Sequence, residues 1–346
     1  MKKFSLVIVL STAVLIVKAQ FAPGKTPYMT KSLTGQTIKS AEVETSGGNI
    51  EVTGGAGNNR IEVFVWPNDS RNADNVSKEE LQKRLDEYYN LKVEVENNKL
   101  VATAKPKKNN MDWRKGVSVS FKIFVDQNIS TDLATSGGNI VLKNLSGTQD
   151  FSTSGGNLVI ESLTGKIKGR TSGGNINLSN AKNDIDVSTS GGNIKAEKCD
   201  GKIKISTSGG SLKLSGLNGD IDASTSGGNV VGNDISGDLS AHTSGGNIDL
   251  NGLNCSLETS TSGGNIDVEM LSLKQFVKIN NSGGNVNLSV PNKAMDLRLT
   301  GGTVKTDKLN NFSGSIEDES IKGKVNGGGV PVTVDAGGGR ITLTLK

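Results

Sequence analysis

Cysteine and histidine are almost missing from this chain: Cys199, Cys255 and His242 are the whole complement. Two thiols cannot build a disulfide framework, and a thiolate metal site needs more ligands than these. Aromatic residues make up only 4% of the sequence and proline occurs six times. No charge sign dominates. Setting aside Lys2, Lys3 and Lys18 leaves 36 basic against 35 acidic residues, which argues against a general attraction to nucleic acid. Long apolar runs are also missing apart from Leu6 to Val17, too short to span a bilayer comfortably. With Lys2 and Lys3 before it and Val17-Lys18-Ala19 after it, that run reads as a signal peptide over 1–19. The reading implies a secreted, periplasmic or outer-surface protein with no transmembrane segment after processing. No cysteine follows the run, so lipoprotein anchoring is not indicated.

Glycine, by contrast, is abundant at 45 residues, and it is periodic. Ser-Gly-Gly begins at Ser136, Ser154, Ser172, Ser190, Ser208, Ser226, Ser244 and Ser262, each 18 residues after the last. An earlier copy sits at Ser46, a later one at Ser282 after a two-residue slip, and a degraded one at Thr300. A strict short period marks a repeat architecture. In the coil Asn175–Gly192, apolar residues fall at Ile176 and Leu178, then at Ile185 and Val187. Those are two short runs of period two, the spacing of strands. The turns between them carry a glycine (Gly165, Gly201, Gly219, Gly237) or Ser-Gly-Gly, whose adjacent glycines permit φ > 0. Such a coil cannot bury its apolar side alone, but stacked at about 4.8 Å per coil it makes a continuous core. The expected fold is all-β: a single-chain parallel β-solenoid, or β-helix, with two-strand coils. Parallel crossovers favour a right-handed path.

Charge supports the stacking. Lys166, Asp184, Lys202 and Asp220 occupy one place in successive coils, and Lys168, Asp186, Lys204 and Asp222 another. In a parallel, in-register stack each Lys lies between Asp neighbours, about 0.2–1 kcal/mol per pair and a strong constraint on register. The turn residues form columns too. Gly173, Gly174 and Asn175 recur, with Asn193, Asn247 and Asn265 among the later asparagines and Ser211 as an interruption. Stacked Asn side chains can bond one another and the turn backbone. The Thr column, which includes Thr171, Thr189 and Thr207, shares parity with the core and is expected to settle its hydroxyl at the corner. Cys199 and Cys255 lie three coils apart, roughly 14 Å, too far for a bond between them.

The flanks are less regular. Residues 20–35 contain Pro23 and Pro27 and read as a flexible leader, ahead of a solenoid spanning 36–346. Residues 36–66 read as an opening coil, and 67–116 as an insert or cap. In the insert, Ser77 and Glu80 make a capping box, and Leu81, Leu85 and Tyr88 share a helical face over 78–89. Leu91–Glu96 and Lys99–Ala104 then form a hairpin about Asn97-Asn98, expected to cover the open end or flank of the stack. Lys105 to Lys115 is basic, and Lys107, Lys108, Trp113 and Arg114 are a candidate binding loop for an anionic partner. The plainer reading, a solvated loop with its one aromatic folded back, has the stronger claim. The most regular coils run over 133–285. Residues 286–346 are irregular coils and a C-terminal cap, with Arg340–Lys346 expected to close the far end.

Catalytic chemistry has little to rest on. His242 sits at an outward place with no nucleophile or acid fixed beside it by pattern, and no aspartate is singled out as an acid. Calcium-binding solenoids carry Asp in the glycine turn, whereas Gly-Gly-Asn-Ile has no carboxylate there. A three-sided hexapeptide solenoid would need an aliphatic at every sixth place, where Thr164, Arg170, Asp200 and Ser206 stand instead.

The repeated Thr-Ser-Gly-Gly-Asn-Ile, the Leu-x-Gly-Lys/Asp-Ile turns and the late Val290-Pro291 with Leu297-x-Leu299-x-Gly301-Gly302 resemble a bacterial putative-adhesin family. Its members are secreted β-strand-repeat proteins with a domain of unknown function. The resemblance covers about 40–346. It departs at the helix-and-hairpin insert and at Asp126, where a proline turn would be sought. It implies a β-solenoid, an adhesin-like role and no catalytic residues. The expected function is thus a non-enzymatic solenoid, adhesin-like or structural, presenting a long surface to a glycan or protein ligand without a cofactor. The alternatives are a carbohydrate-active enzyme on a β-helix and an ice- or glycan-binding Ser/Thr ladder.

Overall fold

The structure is a computed structural model that describes residues 26–69, 76–108 and 112–346. The expected signal peptide, 1–19, and the first part of the expected leader lie outside the described residues. Aliphatic alternation produces strands throughout, and these join into one large, mostly parallel sheet system wound as a β-solenoid. A coil runs as one short strand (Ile176–Ser179), a turn, a longer strand (Lys182–Thr189) and the Ser-Gly-Gly corner. Each strand pairs in parallel with the strand 18 residues on, as Ile176 with Ile194 and Ile185 with Ile203. The interior is one column of side chains. Leu178, Ala181, Ile185 and Val187 are buried, as are their equivalents above and below. Large and small residues interlock along it: a Cβ on Gly169 would meet the Phe151 ring, and one on Gly232 would meet Leu250. The two-residue slip before Ser282 appears as a register shift, with Cys255 opposite Leu273 but Leu257 opposite Val277.

Both ends are threaded out of sequence order, unlike the expected in-order stack. The opening coil, Ser40–Thr45 and Ile50–Gly54, is not the outermost rung. Ser40–Thr45 pairs with Ser130–Thr135 on one side and with Lys99–Pro106 on the other. Ile50–Gly54 likewise lies between Ile140–Lys143 and Val117–Val125. The second strand of the inserted hairpin is thus itself a rung, parallel to the stack, and not merely a cover. Beyond it Tyr89–Glu96 pairs antiparallel, turning at Asn97 and Asn98 with φ of 50° and 63°. The helix Lys78–Tyr88 begins where the Oγ of Ser77 accepts the Glu80 N–H at 3.3 Å. Arg60–Pro67, read as part of the opening coil, pairs antiparallel with Val117–Val125. Within the expected leader, Met29–Ser32 is a strand antiparallel to Arg60–Pro67, and Leu33 is buried. The alternation there is too short to stand out from its polar neighbours.

The C-terminal end repeats the device. Arg340–Leu345 does not close the rod: it pairs with Val286–Val290 on one side and Thr303–Thr306 on the other. Val330–Asp335 sits between the end of Ile266–Asn281 and Met295–Thr300. The outermost pieces are Ser320–Val325 and Phe312–Ile316, both joined antiparallel. Antiparallel pairing is confined to these two ends, where it stops the parallel sheet from continuing.

Candidate binding surface

The Ser-Gly-Gly corner consumes its own polar groups. The Thr171 hydroxyl donates to the carbonyl of Gly156 in the previous coil at 2.8 Å and accepts the N–H of Gly174 at 3.2 Å. The same clamp recurs from Thr135 to Thr261. At the slipped coil Asn281 takes over with its amide, donating to Gly264 O at 2.9 Å and accepting from Gly284 N–H at 3.0 Å. Beside it runs an asparagine chain. The N–H of Asn175 donates to Oδ1 of Asn157, and that of Asn193 to Oδ1 of Asn175, each at 2.8 Å. Asn247 and Asn265 continue it. Ser211 keeps it unbroken, donating to Asn193 Oδ1 and accepting from Asn229 N–H at 3.1 Å. The chain starts at Ser120 Oγ and ends on the N–H of Arg340, so it crosses both out-of-order junctions. Each link contributes about 1 kcal/mol, and a broken one would leave a donor unmatched.

The two corner glycines differ in purpose, and neither has φ > 0, contrary to expectation. A Cβ on Gly174 would overlap the backbone of Gly156, whereas one on Gly173 would meet nothing closer than 3.7 Å. Close stacking, not left-handed geometry, requires Gly174. Positive φ occurs elsewhere: at Gly165, Gly201 and Gly219 near 120°, and at Ser162, Asn180, Lys198 and Gly216 between 53° and 62°. This second turn was legible only in part, because Ser162 and Lys198 do not advertise a left-handed conformation.

The Thr column faces inward, so it is not the open hydroxyl ladder that an ice- or glycan-binding reading would use. Serines flanking it do face outward. They line a groove of about 560 Å³ along the corner. One wall carries Ser172, Ser190 and Ser208, the other Arg170, Ser188 and Ser206, and the Thr column forms the floor. Arg170 donates to Ser188 Oγ at 3.2 Å and pairs with Asp186 at 3.1 Å. Among the described residues, Ser172, Ser190 and Ser208 have no side-chain partner, so their hydroxyls are free to bond a ligand. The Ser-Thr-Ser alternation, with Thr at core parity, already turned serine outward; the groove itself requires coils stacked on one another.

The charge column stands in register: Lys166 lies opposite Asp184, Asp184 opposite Lys202, and Lys202 opposite Asp220. The closest ion pairs nearby belong to other members, Lys168 with Asp150 at 3.3 Å and Arg170 with Asp186. The alternation ends at Asp238, which faces Asp220. Acid also faces acid at Asp132–Asp150 and Asp249–Asp267. The Asp249 and Asp267 carboxylates take amide donors from Asn251 and Asn287 at 2.6 Å. Among the described residues no cluster of three metal-binding side chains occurs.

In the basic loop Trp113 is not folded back. It lies 62% exposed on a short turn, Trp113–Lys115, where Asp112 Oδ1 accepts the Arg114 N–H at 3.2 Å. Lys107 donates through Nζ to the Asp86 carbonyl, and Lys108 and Arg114 are exposed.

His242 has closer company than its sequence position implied. Its Nε2 lies 2.8 Å from Ser240 Oγ and its Nδ1 2.8 Å from Ser260 Oγ. The Ser–His contact resembles an activated nucleophile, but a serine, not a carboxylate, holds the second nitrogen. Glu258, in the next coil, is engaged by Lys278 at 2.9 Å, and that bond holds its carboxyl below the usual range. Both cysteines are free and buried. Burial raises the Cys199 thiol and pushes that of Cys255 to about 12, which favours the less reactive thiol form of both.

Residues 179–344 match the family described as Toastrack DUF4097. No curated protein matches the chain. A solved structure described as a "putative cell adhesion protein", from Clostridium sporogenes, is 10% identical with a TM-score of 0.18, covering 92% of this chain and 98% of its own. Another, described as a "putative adhesin", from Bacteroides fragilis, is 11% identical with a TM-score of 0.23, covering 91% and 96%. Such weak superposition gives these two names no bearing on activity.

Proposed function

We propose that the protein, whose residues 179–344 match the family described as Toastrack DUF4097, is an exported, non-enzymatic β-solenoid of adhesin-like or structural type. It holds an extended, polyhydroxylated chain, by chemistry a surface glycan, along the serine groove. The observation carrying this reading is the division of labour at the corner. Thr and Asn side chains are spent on the stack, whereas serines on both walls keep donors and acceptors for a partner. A rigid repeat of about 4.8 Å presents them in line, so ordering costs little on binding. Export rests on the basic start and apolar run of 1–19, and an N-terminus at Gln20 in the processed protein is its mark.

The test is glycan binding by the purified protein and by Ser188→Ala/Ser190→Ala/Ser206→Ala. Three lost hydrogen bonds at about 0.5–1.5 kcal/mol each should weaken binding by about tenfold or more. The unfolding temperature should stay at the wild-type value, since these hydroxyls face solvent. Glycan binding that survives the triple change, or no glycan binding by the parent, would overturn the reading.

A further inference from the structure

We propose that copies of this chain associate head to tail, the C-terminal end of one rod docking on the N-terminal end of the next. The two ends carry exposed groups of opposite charge over the same edge of the rod. At the N-terminal end Lys99–Pro106 runs beside Ser40–Thr45, and Ser118 and Val119 lie over Gly47 and Gly48. The described parts of the basic stretch, residues 105–108 and 112–115, therefore flank the Ser-Gly-Gly corner. At the other end Gly302 stacks over Gly338, and Gly339 over Gly284, continuing the same corner column. The turn Glu317-Asp318-Glu319 forms the next layer there. Its Glu319 carbonyl accepts the Gly301 N–H at 3.0 Å, and its Asp318 carbonyl accepts the Val304 N–H at 2.8 Å.

The exposed groups match in kind. Lys108, Arg114 and Lys115 are exposed with Trp113 at one end; Glu317, Asp318 and Glu319 follow Ile316, 58% exposed, at the other. Among the described residues none of these six charges has an ion-pair partner. The acid within the basic set, Asp112, is turned to the Arg114 N–H, and Lys305 and Lys322 flank the acidic turn. Stacking copies in one orientation brings aromatic onto aliphatic and acid onto base without lateral displacement. Among the described residues Phe312–Ile316 pairs with Ser320–Val325 alone, so its outer edge faces the incoming copy. The facing strand Tyr89–Glu96 has its Val93 carbonyl taken by Lys31 at 2.8 Å. Side chains, not a continued hydrogen-bond ladder, therefore carry the contact. A contact between two different surfaces, repeated along the rod axis rather than around a ring, gives a linear series.

The experiment is sedimentation of the purified protein over a concentration series at about 0.01 M and about 1 M salt, between which the Debye length falls from about 30 Å to about 3 Å. The expected result is a concentration-dependent series at low salt that collapses to monomer at high salt. Two variants, Glu317→Lys/Asp318→Lys/Glu319→Lys and Lys108→Glu/Arg114→Glu/Lys115→Glu, should each weaken association by about tenfold or more. Mixing the two should restore it, because each then offers what the other lacks. Circular dichroism and the unfolding temperature establish that both variants keep the fold. A parent that stays monomeric at low salt, association indifferent to either variant, or a mixture that stays dissociated would overturn the proposal.

Discussion

At the scale of single residues, stacking distance decides more than conformational preference. Gly173 and Gly174 are adjacent and look equivalent, yet only Gly174 has a neighbouring carbonyl where its Cβ would go. Gly174→Ala is expected to cost about 3 kcal/mol or more, because the clash is with backbone that cannot rotate away. Gly173→Ala should change stability by no more than about 0.5 kcal/mol. Chemical denaturation of the two variants checks the contrast, and equal losses would contradict it. The repeat made both glycines visible; their difference arises only when one coil lies on another. Gln149 teaches the same lesson. It is buried where later coils place Ile or Leu, with Thr131 donating to its Oε1 at 2.6 Å and Ile129 O accepting from its Nε2 at 2.8 Å. Nothing in the local pattern announces that exchange.

At the scale of elements, the two strands of a coil were legible because aliphatic residues alternate on a strict beat, and the helix because Ser77 and Leu85 supply its cap and buried face. The turn between the strands was less so. It takes a left-handed residue at the same place in seven successive coils, from Asn144 to Gly252, filled by Asn180 and Gly216 but also by Ser162 and Lys198. A left-handed non-glycine residue costs about 1–2 kcal/mol, so the exposed Lys198 is a local concession. Lys198→Gly should raise stability by about 0.5–1 kcal/mol, as Gly216 at the equivalent place has φ of 62°. A thermal melt reads the gain, and a lower midpoint would count against this account of the turn.

At the scale of the molecule, the ends behave unlike a simple stack. Removing 330–346 from an in-order solenoid would peel away the last layer. Here it removes Val330–Asp335 and Arg340–Leu345 from between other rungs. Hydrogen exchange on this truncation should therefore lose protection across 286–328 while 133–261 stays protected, since repeat stability passes mainly between neighbours. Protection retained over 295–306 would refute the threading. The surface has the same character: the groove and the opposed end charges each draw on segments far apart in sequence.

Repetition in the amino-acid order determined the period, the strand faces, the buried columns and the parallel register, because a side chain's direction in a strand follows from its parity alone. Contact between distant segments decided the rest: which rung is outermost, which of two glycines tolerates a methyl group, and that the outward serines line one continuous groove. Those outcomes depend on what lies above and below a residue, and at the two ends that neighbour is not the next coil in the chain.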